Sequence, residues 1–340
     1  MAMGSDTLHL LVPGLLGPMQ NLDALQPFPK LPLLERLLSR ADTVAVAGED
    51  YPSTLLPLWG VETPQGRDMP TAALCRLGDG GEPDGRTWIQ VSPVHLRPDR
   101  DRLLLFDVET FDFSMQEALD LVSLFNDHFA EIGWQLEVLS AHRWYLSVEE
   151  PPAVTTHELS QVSGRNMDLF LPEGEEALKW HSLLNEVQML FSSAPVNEER
   201  ERRGKLPING AWFSGIGQVP ETDSVPFGRV FTDEPLARGL AMAAGVPSVL
   251  PTDSAGEGTG GQAAQLAVYD RLQQSLLRSD PFEWSEQLSH LDQWLSPIVR
   301  ELQGGTLQGL MIYPCNGSLF RVTRRNLRRF WRRPGFPDLS

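Results

Sequence analysis

The seven histidines are the first candidates for chemistry, because imidazole is the commonest metal ligand and can act as a general base near neutral pH. They are His9, His95, His128, His142, His157, His181 and His290. None stands in an HxH, HxxxH or HExxH pattern, so the sequence shows no local metal pair. His95, in "SPVHLRPDRD", can share a loop with Asp99 and Asp101. Any metal or catalytic cluster would therefore have to be assembled from distant parts of the chain.

Serine and glycine motifs give weaker signals. The GxSxG elbow of a serine nucleophile is absent, since "FSGIG" places Ser214 before two alternating glycines. Ser53 is the first residue of the helical stretch "STLLPLWGV", where N-capping explains a serine better than nucleophilic chemistry. The glycine-rich "DSAGEGTGG", residues 253–261, could hold an anion at a helix start. No lysine follows its last glycine, so it is not a Walker loop, and a flexible loop is the favoured interpretation.

The charge of the chain is strongly uneven. Its formal net charge is −17, which disfavours nucleic acid as a partner of the body. In contrast, "RVTRRNLRRFWRRP", residues 321–334, holds seven arginines. The favoured interpretation is a closing helix that packs its apolar face on the body while its arginines meet acidic surface. There are two alternative interpretations of this segment: it binds an anionic membrane surface, or it binds an RNA or nucleotide.

Length and composition predict an ordinary globular protein. The chain has 340 residues, of which 41% are hydrophobic and 21% charged. This is enough for two domains, or for one large domain with an insertion, with a core of normal size. "MAMGSDT" precedes an apolar run that is too short for a signal peptide or a membrane span. The two cysteines, Cys75 and Cys315, lack the paired spacing of a zinc or redox motif. We therefore expect a cytoplasmic protein with no transmembrane segment.

The first half of the chain predicts two structural regions. "LHLLVPGLLGP" is the opening strand of an α/β fold and breaks at Pro13-Gly14, and "LPLLERLLSRA" is a helix that begins near Pro32. Between about residues 86 and 148 the order is β-β-α-β-β, and the helix is capped by Ser114 with Glu117 completing the capping box. This order predicts a small α+β unit with a helix against an antiparallel sheet.

The second half predicts further helices and strands. The long helix "EGEEALKWHSLLNEVQMLFSSAP", the strand "GAWFSGIG" and the helix "EPLARGLAMAAGV" come first. "QAAQLAVYDRLQQSLL" and "SDPFEWSEQLSHLDQWLSPIVREL" are each predicted as one helix, the latter capped by Asp280. Asn316-Gly317 predicts a hairpin turn, and Thr323 is expected to cap the arginine-rich helix. We expect the first core part at 1–80, an inserted α+β domain at 81–152, the second core part at 153–322, and an arginine-rich C-terminal helix or tail at 323–340.

Several stretches resemble a known family. "LLNEVQMLFSSAPVNEERERRGKLPINGAWFSGIG" resembles the signature of a bacterial group of RpfE-like regulatory proteins, and "SPVHLRPDRDRLLLFD" and "HLLVPGLLGP" fit the same group. More remotely, the chain is similar to archaeal-type cofactor-independent phosphoglycerate mutases of the alkaline phosphatase superfamily. "PVNEERERRGKLPINGAWFSGIG", "SMQEALDLVSLFNDHF" with "RWYLSV", and "FGRVFTDEPLARGLAMAAGV" carry that similarity. The resemblance implies an alkaline phosphatase-like core sheet flanked by helices, with an inserted lid-like domain.

The departures from this family concern its chemistry. The resembled mutases hold two divalent metal ions with acids and histidines and use a nucleophilic serine. Their first-strand Asp-Gly is Pro13-Gly14 here, and the spacing does not put Ser53 cleanly at their serine. Asp280 lacks the adjacent histidine of their "DEAGH" region, and "LMIYPCNGS" has neither ligand of their late metal motif. Because each ion of a two-metal site needs several hard ligands, the resemblance implies the fold without catalytic residues, metal or cofactor.

We therefore predict a regulatory or ligand-binding protein that accepts a phosphorylated or other anionic small molecule in the former cleft. By carry-over from the resemblance, with arginine as the bidentate partner, the lining residues are Asn197, Arg200, Asn209, Trp212, Arg238, His95 and Arg143. The alternative is a metal-dependent phosphomutase or phosphatase with a rearranged site drawn from Asp50, His95, Asp253, Asp280 and His290. A third possibility is an interaction module whose arginine-rich tail binds a protein or an anionic partner.

Overall fold

The computed structural model describes residues 6–19, 25, 27–108, 111–221, 225–251 and 263–337. The glycine-rich loop 253–261, with Asp253, lies outside them. The strands of the described part are β1 (Thr7–Leu11), β2 (Asp42–Ala45), β3 (Thr87–Asp99), β4 (Arg102–Asp107), β5 (Leu136–Ser140), β6 (Arg143–Val148), β7 (Val154–Thr155), β8 (Glu173–Gly174), β9 (Gly210–Gly217), β10 (Arg229–Phe231), β11 (Ser248–Val249), β12 (Gln265–Val268), β13 (Gly309–Tyr313) and β14 (Ser318–Thr323).

The α-helices of the same part are α1 (Pro32–Arg40), α2 (Tyr51–Leu58), α3 (Thr71–Gly78), α4 (Met115–His128), α5 (Leu159–Val162), α6 (Ala177–Ser192), α7 (Pro195–Arg202), α8 (Pro235–Ala243), α9 (Arg271–Leu277), α10 (Pro281–Trp294) and α11 (Ser296–Gly304). Short 3-10 helices cover Ala130–Ile132, Met167–Phe170 and Asn326–Arg328. No described helix combines the length and the apolar character needed to span a membrane.

The chain divides into two compact units. The first, the core unit, combines Met1–Glu62 with Glu221–Ser340, and the second, the inserted unit, is the continuous stretch Thr63–Pro220. The domain predicted at 81–152 lies within the inserted unit, which also includes α3 before it and α6, α7 and β9 after it. The predicted bounds of the domains, including 81–152 for the inserted one, stay a prediction.

The core unit is built on a sheet whose described strands follow the order β11-β10-β12-β1-β13-β14-β2. The strands from β11 to β13 pair in parallel, and the hairpin β13–β14 and the strand β2 add antiparallel pairs at one side. The four residues of β12 are all buried, as are the last four of β1. Such unbroken burial is expected of parallel strands with both faces covered. The carboxyl ends of β10, β12, β1 and β13 therefore meet at one edge of the sheet.

The core of this unit lies between the sheet and the helices α1, α10 and α11. Leu34 and Leu37 of α1, Trp284 of α10 and Ile298 of α11 are at most 1% exposed and pack in one cluster with Leu10 of β1. Since each such side chain contributes about 1.5–3 kcal/mol on burial, this cluster fixes the helices that flank the strand ends.

The inserted unit is a second, antiparallel sheet with helices against it. Its described strands follow the order β4-β3-β6-β5, and β9 also pairs with β3. The aromatic side chains of its main core come from α4, α6 and the sheet, and are Phe125, Trp144, Trp180, Phe191 and Phe213. The residues of β9 from Gly210 to Ile216 are buried, and β9 is the strand predicted over "GAWFSGIG".

Several expectations from the sequence are confirmed. The chain is a mixed α/β protein with central sheets flanked by helices. The order β3-β4-α4-β5-β6 reproduces the β-β-α-β-β pattern, and Ser114 and Glu117 form the expected capping box. The hairpin of β13 and β14 turns at Asn316-Gly317, with Gly317 at φ +80°. These elements depend on local signals, which explains why they could be predicted.

The helix predicted over "QAAQLAVYDRLQQSLL" is wrong in its first half. Residues 265–268 form β12, which lies between β10 and β1 in the parallel sheet, and only α9 is helical. A run of four apolar or amphipathic residues does not by itself distinguish a buried strand from a helix. Residues 265–268 form a strand because they pair with β10 on one side and β1 on the other.

Two other helix predictions need correction. The stretch predicted as one helix over "SDPFEWSEQLSHLDQWLSPIVREL" is divided at Leu295 into α10 and α11, because Pro297 occupies the first turn of α11 and cannot continue a helix. The arginine-rich segment forms the 3-10 turn Asn326–Arg328 in place of an α-helix, and Thr323 ends β14. An α-helix there would stack like charges four residues apart, as in Arg325 and Arg329, which is unfavourable.

Candidate functional site

The turn after β1 is the first place to look for site residues, because ligands of open α/β sheets bind at the carboxyl ends of the strands. Pro13 and Gly14 are buried there, and Gly14 has φ +82°. A Cβ on Gly14 would lie 2.8 Å from Leu276 Cδ1 and 3.1 Å from the backbone nitrogen of Gln273. The carbonyl of Gly14 accepts a hydrogen bond of 3.0 Å from Trp284 Nε1. The turn is thus filled by α9 and α10 and carries no acidic side chain.

The beginning of α2 contains an acid and a serine that hold each other. Asp50 Oδ1 accepts the N–H of Ser53 at 2.9 Å and also its hydroxyl, while Ser53 Oγ accepts the N–H of Asp50 at 3.2 Å. This reciprocal capping box makes Asp50 the N-cap, three residues before the expected cap at Ser53. The Ser53 hydroxyl is therefore used to begin the helix.

Glu234 caps α8 and contacts α2. Its carboxylate accepts the N–H groups of Leu236 at 3.0 Å and Ala237 at 2.8 Å, as well as the hydroxyl of Tyr51. Burial raises the pKa of Glu234 to about 7, against the lowering effect of these hydrogen bonds, and the charge of Asp270 adds to the rise. A carboxyl with a pKa near neutrality can exchange protons at physiological pH, which is the property of a general acid or base.

Cys315 lies at the end of β13, in the left-handed region at φ +61°. Its thiol is 7% exposed, and burial raises its pKa to about 12. A hydrogen bond from Thr54 lowers this pKa and the charge of Asp50 raises it. The thiol is therefore protonated at neutral pH and behaves as a small apolar group.

These side chains form a cluster that we call the strand-end cluster: Asp50, Tyr51, Glu234, Asp270 and Cys315. Electrostatic interactions connect Tyr51 with Glu234, Asp270 and Cys315, and Cys315 with Asp50. The sequence analysis identified only Asp50. Glu234, Asp270 and Cys315 follow β10, β12 and β13 by two or three residues, which is a usable signal once the strands are known. Because residues 265–268 are predicted as helix, the sequence does not identify Asp270 as a residue that follows a strand.

Beside this cluster the core unit has a small pocket that is open to solvent. Tyr269 lies on its wall, with its hydroxyl 2.8 Å from His290 Nδ1 and 3.2 Å from the carbonyl of Gln287. The Arg271 guanidinium lies 5.9 Å from the centre of the Tyr269 ring. The lining residues are Asp233, Pro251, Val268, Tyr269, Asp270, Arg271, His290 and Trp294.

The pocket presents charges of both signs. Asp233 and Asp270 supply carboxylates, and Arg271 and His290 supply a guanidinium and an imidazole. A guanidinium and an imidazolium are suited to phosphate or carboxylate groups, and carboxylates accept hydrogen bonds from hydroxyls or amines. The arrangement therefore favours a small molecule that carries both an anionic group and hydroxyls.

The donor set for a metal ion is limited within the described residues. Among them, no three His, Cys, Asp or Glu side chains come close enough together to hold an ion. In the strand-end cluster, Asp50 and Glu234 accept backbone N–H groups as helix caps. These carboxylate oxygens already have donors at the ends of α2 and α8.

The residues considered for a rearranged metal site are dispersed. Asp280 is exposed and accepts two N–H groups at the start of α10, ten positions before His290 on the same helix. Ten residues of α-helix span about 15 Å. Asp50 caps α2, His95 belongs to the inserted unit, and Asp253 lies outside the described residues. Only His290 of this set lines the pocket.

Four of the residues predicted to line the cleft hold one backbone segment, residues 206–209, in the inserted unit. Arg200 Nε donates to the first carbonyl of the segment at 2.8 Å, and His95 Nδ1 donates to the second at 2.8 Å. The Asn197 amide accepts the third N–H at 2.7 Å and donates to the third carbonyl at 2.9 Å. Asn209 itself exchanges two hydrogen bonds with the backbone of β3. These polar atoms position the chain that leads into β9.

The other three predicted residues lie elsewhere. Trp212 is buried and donates from Nε1 to the carbonyl of His157 at 2.7 Å. Arg143 makes two hydrogen bonds of 2.9 Å to Asp79, from Nε and Nη2. Arg238 is half-buried on α8 in the core unit. Ligand contact by the seven residues stays a prediction, while their observed contacts are within the protein.

Comparison with known proteins gives a remote but consistent picture. No family model matches the chain. A probable 2,3-bisphosphoglycerate-independent phosphoglycerate mutase of Geobacter sulfurreducens is 26% identical over 166 residues, which is 46% of this chain and 41% of that protein. The matched stretch thus covers less than half of the curated relative. The RpfE-like group is not shown by any of these matches.

One solved structure shares its fold with most of the chain. The PH0037 protein of Pyrococcus horikoshii is 16% identical, with a TM-score of 0.54 over 94% of this chain and 88% of that one. A cofactor-independent phosphoglycerate mutase of Thermoplasma acidophilum is also 16% identical, with a TM-score of 0.44 over 94% of this chain and 90% of that one. The chain is therefore remotely similar to the cofactor-independent phosphoglycerate mutases in sequence, and shares its overall fold with the Pyrococcus protein.

Proposed function

We propose that this chain is a non-catalytic relative of the phosphoglycerate mutases that binds a phosphorylated small molecule and acts as a regulatory protein. The packed turn at Pro13-Gly14 carries the proposal. The acid of the resembled mutases has no counterpart there, and α9 and α10 occupy the space beside it. The use of Asp50 and Glu234 as helix caps supports the same conclusion.

The ligand in this proposal occupies the pocket of the core unit. Arg271 and His290 hold its phosphate, and Asp233 and Asp270 accept hydrogen bonds from its hydroxyls. A phosphorylated hydroxy acid or polyol meets both requirements. The roles predicted for the residues of the inserted unit remain predictions beside this assignment. A cytoplasmic location also remains a prediction, which the low number of cysteines, two in 340 residues, supports.

Calorimetric titration with 3-phosphoglycerate and with inorganic phosphate tests the binding. We expect the wild type to bind 3-phosphoglycerate and Arg271→Gln to weaken binding roughly 10-fold or more, because a charge-assisted hydrogen bond is lost. Arg278→Gln is the matched control, since Arg278 is exposed nearby but pairs with Glu283 outside the pocket. Failure of the wild type to bind either compound, or equal affinities of the two variants, would contradict the proposed ligand.

A second candidate function is a metal-dependent phosphomutase or phosphatase with a rearranged site. One observation favours it: Glu234, beside Asp270, has a pKa of about 7 and could transfer protons. Turnover of 2- or 3-phosphoglycerate or of a phosphate ester with Mn²⁺ or Mg²⁺, together with the metal content of the purified protein, separates the two functions. Turnover that Glu234→Gln abolishes would establish the enzyme, and absence of turnover beside an active phosphoglycerate mutase assayed in parallel would support the non-catalytic function.

A further inference from the structure

The arginine-rich segment 321–333 is attached firmly to the core unit at one side. Arg329 Nη1 donates to Asp42 Oδ1 at 2.5 Å and to the carbonyl of Arg40 at 3.0 Å. Arg332 Nη1 donates to the carbonyl of Ala41 at 2.8 Å, and Arg40 Nη1 donates back to the carbonyl of Leu327 at 2.5 Å. These bonds join the segment to the end of α1 and to β2. Its conformation is therefore set by the fold, so little ordering is needed before it binds a partner.

Most arginines of the segment are nevertheless exposed. Within the described residues, Arg329 is the one member of its seven arginines that forms an ion pair. The chain contains no acidic residue between Glu301 and Asp338. Its seven arginines account for +7, so the remainder of the chain carries −24. Six of the seven arginines are exposed, Arg329 being the exception. We call the five that follow β14 the basic face: Arg324, Arg325, Arg328, Arg332 and Arg333.

Two large aromatic side chains project from the middle of the basic face. Phe330 is 83% exposed and Trp331 is 68% exposed. Their ring centres are 5.4 Å apart and the rings meet edge to face at 81°. Exposed aromatic rings next to arginines and away from the core are costly in water, and they are typical of surfaces that bind a partner. The pair forms an apolar wedge with Arg328 and Arg329 before it and Arg332 and Arg333 after it in the sequence.

We propose that the basic face and its aromatic wedge bind an anionic membrane surface. Trp331 and Phe330 would enter the boundary between headgroups and acyl chains, and the arginines around them would pair with lipid phosphate and carboxylate groups. The chain would then bind peripherally through this segment. This proposal does not depend on the ligand proposed for the pocket.

The geometry favours a membrane over a single-stranded nucleic acid. Bases bind to proteins by stacking on open aromatic faces that follow the strand. Here the edge of one ring lies against the other, so the pair does not offer two parallel platforms. A membrane contact needs only the projecting wedge and the arginines beside it.

Flotation with lipid vesicles tests the proposal on the full chain. Vesicles of phosphatidylcholine alone are compared with vesicles that contain about one third phosphatidylserine, at low and physiological salt. We expect binding to the anionic vesicles only, weakened by salt. The quadruple variant R324Q/R325Q/R328Q/R333Q should lose roughly 100-fold or more of its partitioning, because each basic side chain contributes separately to the attraction. The anchoring residues Arg40, Arg329 and Arg332 are kept.

A second variant separates the wedge from the charge. Phe330→Ser with Trp331→Ser should reduce binding at physiological salt, where the arginines alone are screened, and should remove a fluorescence change on vesicle addition. Arg202→Gln with Arg203→Gln, on the exposed end of α7, is the matched charge control and should bind as the wild type does. Absence of wild-type binding to anionic vesicles at low salt would overturn the proposal. So would equal binding by the quadruple variant, or selective binding of a single-stranded RNA without vesicle binding.

Discussion

Two ionisable residues of the core unit, the buried His9 and the half-buried Glu234, have pKa values that are displaced in opposite directions. His9 lies on β1, with Nδ1 2.9 Å from the hydroxyl of Tyr313 and its ring against Phe227. Burial lowers the pKa of His9 to about 4. Burial raises the pKa of Glu234 to about 7. Both residues are neutral at a mildly acidic pH, as expected for ionisable groups that lack a fully compensating charge.

Glu234→Gln should change how stability depends on pH. Glu234 binds its proton more tightly in the folded protein, so its contribution is favourable below about pH 4.5 and is lost as the pH rises to about 7. The glutamine of the variant does not titrate, so the variant does not lose stability in this way as the pH rises. Relative to wild type, its free energy of unfolding should gain up to about 3 kcal/mol between these pH values. Urea unfolding at several pH values measures the difference, and a difference that does not change with pH would contradict a raised pKa.

His9→Phe should produce the opposite slope. His9 is protonated below about pH 6.5 when unfolded but only below about pH 4 when folded, so acidification across this range favours the unfolded chain. The variant lacks this penalty, and its free energy of unfolding should rise relative to wild type by up to about 3 kcal/mol as the pH falls from 6.5 to 4. The phenyl ring keeps the contact with Phe227. Parallel unfolding curves for variant and wild type would show that His9 titrates normally.

At the scale of elements, α1 begins with help from another helix. Its N-cap residue, Leu31, makes no side-chain cap. Asp292 of α10 instead accepts the N–H groups of Leu33 at 2.9 Å and Leu34 at 2.7 Å. The carboxylate thus satisfies two donors that α1 cannot satisfy alone and favours its N-terminus electrostatically. One residue joins the two helices that cover the strand ends.

Asp292→Ala should therefore lower the free energy of unfolding of the core unit by about 2–3 kcal/mol, since two buried N–H groups lose their acceptor. Asp292→Asn keeps one carbonyl oxygen and should lose only about 1 kcal/mol. Both are compared with wild type by urea unfolding at pH 7. A loss below about 0.5 kcal/mol in Asp292→Ala would mean that water satisfies these groups.

The cap from Asp292 also shows what the sequence can and cannot predict. The capping box of Ser114 and Glu117 and the turn at Asn316-Gly317 were predicted because their partners are at most three residues apart. The acceptor for α1, Asp292, lies 258 residues from Leu34, and no local sequence pattern predicts this contact. The strand β12 could not be predicted for the same reason, since it forms by pairing with β1 and β10, which lie elsewhere in the sequence.

The candidate site follows the same division. Its signal is position after a strand, so Glu234 and Cys315 could have been found from correctly assigned strands, and Asp270 could not be found while β12 was taken for a helix. The residues carried over from the family resemblance are mostly those that hold segment 206–209 in place. A resemblance that depends on these residues therefore supports a shared fold more strongly than it supports a shared reaction.

At the scale of the whole molecule, the two units are built from different kinds of chain segment. The core unit is assembled from two separate stretches, whereas Thr63–Pro220 is continuous. The main core of the inserted unit, including Trp144 and Trp180, is formed by residues of this stretch. A continuous stretch with its own sheet and its own buried aromatic core meets the physical requirements of an independent domain.

Residues 63–220 expressed alone should therefore fold. We expect a near-UV circular dichroism signal from the buried tryptophans and a single cooperative unfolding transition in urea. Asn197→Ala in this fragment should cost about 1–3 kcal/mol, because the 206–209 segment loses both its acceptor and its donor, whereas Asn185→Ala, exposed on α6, should change stability by less than about 0.5 kcal/mol. A fragment without near-UV signal, or with gradual unfolding, would show that the stretch needs the remainder of the chain. Equal effects of the two asparagine variants would show that the contacts of Asn197 do not stabilise the fold.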